Sequence, residues 1–322
     1  MIVQTELANE TAQLASIPFG LSMTTVMIIF YLVCASQVFL ISIYFPGKIV
    51  ERIRYVLERF PPDEYPKLYP SPLDQISMAE RSRGLTLFIQ INRAIAIVGA
   101  VILLAALASG YQLDLKGGHE ILVFAYFMLQ VIPGVYLSVR EYQQYRLMHK
   151  AFANTKVRAA GLKRRTLFDF VSPQMVGLAV LGYVGWLIFF VSGEGPVNEW
   201  REEVYITLLL ITGVNLAYVM IARATVSGMK LDPYQSYSDQ LRRTEVMIKS
   251  LVFSSVLMSG FLIFTIAADR YAFEIFDPIM TSLLFQASVI FSVGTIFRFD
   301  PLEEINFDVY RNDEVGGNGV VT

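Results

Sequence analysis

Seven runs of apolar residues divide the chain, each long enough to cross ~30 Å of hydrocarbon as a helix. They cover residues 21–45, 85–109, 121–139, 171–191, 205–221, 246–267 and 279–297. The last is opened by Asp277-Pro278, a pattern that predicts an N-cap followed by proline at the first helical position. Two runs continue beyond their apolar core with a different period. Past Pro46, the residues Ile49, Val50, Ile53, Val56, Leu57 and Phe60 form a helical stripe opposite Glu51, Arg52, Arg54, Glu58 and Arg59. After residue 139, Tyr142, Tyr145, Met148 and Phe152 share a face in the same way. These patterns predict amphipathic helical extensions on one side of a bundle. Segments 46–84, 140–165 and 222–245 hold them, and 298–322 forms a tail.

Between the first two runs lies a segment of another kind. Residues 60–72 hold five of the chain's thirteen prolines, together with Tyr65, Leu68 and Tyr69. Proline lacks the backbone donor and biases its predecessor toward extended geometry, so this stretch is expected to be a stiff strap. Its large side chains suit docking, either onto the protein's own helices or onto a partner. Beyond it, Ser71-Pro72-Leu73-Asp74 reads as the capped start of a short helix running to Arg81 and Arg83.

Composition confirms the class that the pattern announces. Hydrophobic residues make up 54% of the chain and charged ones 17%, and the mean hydropathy is +0.50, outside the range of soluble globular domains. The expectation is an all-α integral membrane protein, a single domain of seven transmembrane helices. Net charge is only -2, but the signs are sorted. Alternate connections and the C-terminal segment hold 22 Lys and Arg, while the N-terminus and the other connections hold three, Lys116, Arg201 and Arg270. Positively charged connections stay cytoplasmic, which predicts the N-terminus outside and the C-terminus inside a cell (inner) membrane. The outer segments carry eleven Asp and Glu, and the basic inner rim suits anionic lipid. With no basic n-region and with Glu6 and Glu10, the first twenty residues do not read as a cleaved signal peptide.

A faint repeat marks the starts of the even runs, at Arg83–Phe88, Lys163–Phe168 and Leu241–Val246. Two spans per unit would make the copies parallel. A three-hairpin plan resembles that of mitochondrial carriers. The odd runs lack that family's Pro-x-acidic-x-x-basic signature and a seventh run is present, so the assignment is rejected.

The polar residues within the runs are the candidates for chemistry. Each of four odd runs carries one carboxamide at mid-depth: Gln37, Gln130, Asn215 and Gln286. An amide in hydrocarbon must find a partner, so these residues either join helices or line a site for a weakly polar ligand. Nearer the inner ends, Asn92, Arg93, Asp169 and Lys249 could polarise a cytoplasm-facing vestibule, with Pro173 kinking the fourth span beside it and Gly177, Gly182 and Gly185 allowing close helix packing. No Asp, Glu, His or Lys lies mid-span, so proton coupling is not expected.

Several chemistries lack their residues. The two histidines, His119 and His149, are ~45 Å apart along one helix and cannot share a metal. Cys34 is the single cysteine, which excludes an intrachain disulfide and an iron–sulfur cluster. The seventh run has no lysine for a retinal Schiff base, and no phosphate-binding loop appears. Three functions stay open. The first is non-enzymatic binding or passage (transport) of a small neutral, weakly polar or lipidic molecule. The second is a scaffold or accessory subunit with a cytoplasmic or membrane protein partner, and the third an interfacial enzyme acting on lipid. No cofactor and no nucleic-acid partner is expected.

Overall fold

The computed structural model describes residues 21–71, 73, 76–113, 118–152, 165–228 and 232–311. Among them there is no strand, and seven helices are long and apolar enough to cross a membrane. In chain order they are α1 (Met23–Arg59), α2 (Met78–Ala108), α3 (Glu120–Phe152), α4 (Pro173–Val191), α5 (Glu202–Val226), α6 (Tyr237–Tyr271) and α7 (Glu274–Phe299). The basic connections meet at one end of the bundle, here the basic end; the opposite one is the acidic end.

Helix α1 runs unbroken through Pro46 into its amphipathic extension, as the stripe predicts. A π-turn at Leu40–Tyr44 makes this feasible, because it restarts the ladder at Phe45 and puts Pro46 in a first turn, where no N–H is required. Helix α3 likewise continues to Phe152. Other expected boundaries shift. Helix α2 starts at Ser77, not Ser71: Ser77 Oγ accepts from the Glu80 N–H while Glu80 returns a bond to the Ser77 N–H, a complete capping box. Residues 72, 74 and 75 of the expected start lie outside the described residues. Pro173 does not kink a span, because α4 begins there under a Ser172 cap. Asp277 is already helical rather than capping, preceded by a 3₁₀ turn at Glu274–Phe276. Helix α6 starts at Tyr237, well before the apolar run, since Ser236 caps it and its polar first turns have partners described below.

The helices pack as two groups. Helices α2 and α7 both pack against α1 and against α3, and α4 and α5 both lie on α6, which in turn meets α7. Outer faces stay apolar, with Leu122, Leu181 and Leu209 at 67%, 70% and 74% exposure. The three repeat motifs sit differently. Arg83 lies within α2 and Arg242 within α6, but Thr166–Phe168 precede α4 in a separate turn and residues 163–164 are not described.

Candidate functional site

Three of the four mid-depth amides converge. Gln37 donates to Gln130 Oε1 at 2.9 Å, Gln130 donates to Ser42 Oγ at 2.8 Å, and Ser282 donates to Gln37 Oε1 at 2.6 Å. Gln286 bonds the Val33 carbonyl at 3.0 Å and accepts from Ser36 at 2.9 Å. The result ties α1, α3 and α7 together in a buried network, with Gln37 only 2% exposed. Ser42 belongs to the π-turn, so the same distortion that accommodates Pro46 also presents a hydroxyl to Gln130. Asn215 is elsewhere. Its side chain bonds the Ile211 carbonyl and accepts from Ser255 at 2.7 Å, joining α5 to α6.

The four residues expected to share a vestibule separate. Asn92 is buried and returns its amide to the Phe88 carbonyl, whereas Arg93, one position and about 100° further round the helix, is exposed. Asp169 lies outside α4, in the 3₁₀ turn Leu167–Asp169, where it accepts from the Thr166 N–H at 2.7 Å. Lys249 pairs with Glu245 at 2.5 Å and lies over the Phe299 ring. Only Asp169 and Lys249 meet, in a cleft of about 390 Å³ with Phe168 and Phe253.

At the basic end the strap folds inward. Tyr65 and Tyr69 are 5% and 4% exposed, and Leu68 packs into the same cluster as Met148 and Phe307. Phe60 stacks on Phe307 at 3.8 Å, and Gln144 of α3 donates to the Leu68 carbonyl at 2.9 Å. The chain after α7, described to residue 311, thus covers the strap instead of hanging free; Pro72 and residues 312–322 lie outside the described residues. Arg242 of α6 anchors it by facing Asp239, Asp300 and Glu304 at 3.8, 4.0 and 3.4 Å. Arg52 adds a bond to Asp300 at 3.3 Å.

This layer should open in alkali. Burial pushes the Tyr69 phenol up to about 12, with Arg81 opposing, and burial with the Asp232 charge raises Tyr310 as well. A phenol raised above its unfolded value near 10 adds stability below that value and loses it as pH climbs toward the folded one. Stability is therefore expected to fall between pH ~10 and ~12, by at most ~1.4 kcal/mol per pH unit for each phenol, and the melting temperature with it. Tyr69→Phe should make the fall shallower; an identical pH profile would contradict it.

A second, larger cleft lies between α4 and α5, with α6 as its floor, and has a volume of about 1250 Å³. Its origin is local. Gly182 of α4 lies against Ser259 of α6, where an added Cβ would come within 3.2 Å, so α4 hugs α6. Gly177 and Gly185 have open space beside them and make no such approach. Helices α4 and α5 are bridged by a Tyr183–Thr212 hydroxyl contact at 2.7 Å. Between that bridge and the basic end the walls are apolar, including Val176, Val180, Leu216 and Val219. Asn215 and Ser255 lie near the bridge, while Arg165 and Arg223 line the other end, ~16 Å away from Thr212 along α5. In the sequence Arg223 is one of the charges that set topology, Arg165 is that and a candidate i, i+4 partner of Asp169, and Tyr183 and Thr212 carry no signal. No periodicity marks these residues, because the cleft is shared by three helices.

No protein-family model matches the chain, and no curated protein or solved structure is significantly similar to it.

Proposed function

We propose that this chain is a multi-pass membrane protein, N-terminus outside and C-terminus cytoplasmic, that binds a lipidic molecule between α4 and α5. The α4–α5 cleft carries this reading: its volume suits a ligand larger than a metabolite, and its walls are apolar with a few polar groups at either end. The seven apolar helices support residence in a membrane, and the 22-to-3 sorting of Lys and Arg supports the orientation and a cytoplasmic membrane.

Binding is favoured over passage. Gln37, Gln130 and Gln286 spend their hydrogen bonds on one another and on neighbouring serines and carbonyls, which suits helix joining and leaves Asn215 as the one of the four mid-depth amides that lines the cleft. A scaffold using Tyr65, Leu68 and Tyr69 is disfavoured, because those side chains are already covered by the protein itself.

Two measurements test the reading. A tag after Thr322 should be protected in intact cells and one before Glu6 accessible, and reversed labelling would refute the orientation. Lipid extracted from the purified protein should fall several-fold in Val219→Trp, which fills the cleft from its apolar wall; unchanged lipid would remove the cleft as the site.

A further inference from the structure

We infer that the cleft is specific for a lipid with a net-anionic, phosphate-bearing headgroup, held at the basic end by Arg165 and Arg223 with its acyl chain along α4 and α5. This rests on the lipid-binding reading above. Among the described residues the cleft lining contains two arginines and no carboxylate. Neither arginine forms an ion pair with an acidic side chain among the described residues.

Arg165 is preset for an acceptor. Its guanidinium lies over the Tyr237 ring at 4.9 Å, and its Nη2 donates to Gln240 Oε1 at 3.5 Å. Gln240 is itself 5% exposed and bonded to the Gly228 carbonyl, so the platform beneath the arginine is fixed. The other terminal nitrogen, Nη1, is buried and has no hydrogen-bond partner. A buried, charged donor left unsatisfied is costly, and a guanidinium matches phosphate oxygens in charge and in its forked geometry. Arg223 is exposed at the same end and adds a second cation.

The headgroup must be net anionic because of what the lining lacks. A zwitterionic headgroup would bring its own cation to two arginines with no carboxylate among the described lining residues to receive it. The apolar wall favours a chain-bearing ligand over free phosphate, since Val176, Val180, Leu216 and Val219 offer nothing to a small anion and contact area to a chain. In the proposed orientation these arginines face the cytoplasmic leaflet, where anionic lipids are concentrated.

The test is native mass spectrometry of the delipidated full chain in detergent, titrated with phosphatidylglycerol or with phosphatidylcholine of the same acyl chains. Phosphatidylglycerol is expected to bind about tenfold more tightly, with Arg165→Gln/Arg223→Gln abolishing the difference and Val219→Trp weakening both lipids. An unchanged melting temperature in the double variant, which retains the apolar walls, separates lost recognition from lost folding. Equal binding of the two lipids by the native chain, or a preference that survives in the double variant, overturns the headgroup assignment while the cleft reading stands. Binding of both lipids that Val219→Trp leaves untouched overturns the cleft itself. Displacement of phosphatidylglycerol by an equal concentration of inorganic phosphate would reassign the arginines to a free anion and overturn the lipid assignment.

Discussion

Replacing Arg242 with methionine will release the C-terminal segment from the strap and lower stability by about 3 kcal/mol, the low end of the cost of leaving buried charges without their partner. Arg242 faces three carboxylates, and Asp239 among them is 2% exposed with its Oδ1 lacking a hydrogen bond. About a fifth of the arginine side chain is in water, which keeps the figure from the top of the range. Asp300 would retain Arg52, which donates to its backbone carbonyl at 2.7 Å but reaches its carboxylate only at 3.3 Å, from one terminal nitrogen. Burial already holds the Asp300 carboxyl above its ordinary range in spite of three nearby arginines. A carboxyl raised in the folded state contributes stability at low pH that is lost as pH rises through its folded value, so the deficit of the variant should be largest near neutrality and shrink in acid. Thermal melting and limited proteolysis across residues 300–311 read both effects. A variant that melts like the native chain and is cut no faster would show that the aromatic cluster alone holds the segment.

The second large effect is expected at Gly99, where three helices meet. An added Cβ there would run into the Tyr126 ring and hydroxyl of α3 and come within 2.9 Å of Val38 of α1. Tyr126 cannot yield freely, since its hydroxyl donates to the Ile95 carbonyl at 2.9 Å. Gly99→Ala should therefore cost about 2–3 kcal/mol, typical of overpacking in a core that cannot relax. Tyr126→Leu removes the obstructing ring, so the double variant should lose less than the two single losses added together. Additive losses would mean that the two residues do not compete for the same space.

The architecture was legible wherever one helix carries the signal alone. The stripe from Ile49 to Phe60 foretold that α1 continues past Pro46, and the period of Tyr142, Tyr145 and Met148 foretold the length of α3. Helix starts were less legible. Ser71 and Ser77 both resemble caps, and the choice between them was made by Glu80, whose side chain closes a box with Ser77. The same holds for Pro173, which ends one segment and opens α4 where a kink was expected.

The sequence alone determined that seven apolar helices exist, where polar groups fall along them and how charge is shared between their ends, because hydropathy and charge are properties of each residue taken in order. It could not determine which faces meet. Gln37, Gln130 and Gln286 look like Asn215 in one dimension, yet packing of α1, α3 and α7 joins the three and leaves Asn215 beside the cleft. Asn92 and Arg93 are neighbours in the chain and lie on different faces because a helix turns about 100° per residue. The cleft itself exists only in three dimensions: a glycine lets α4 close on α6, and α5, packed on α6 beside it, leaves a gap that Arg165 and Arg223 border from segments some sixty residues apart. Helix rotation and interhelical distance set these relations, and both follow from side chains on partner helices that no single stretch of the chain contains.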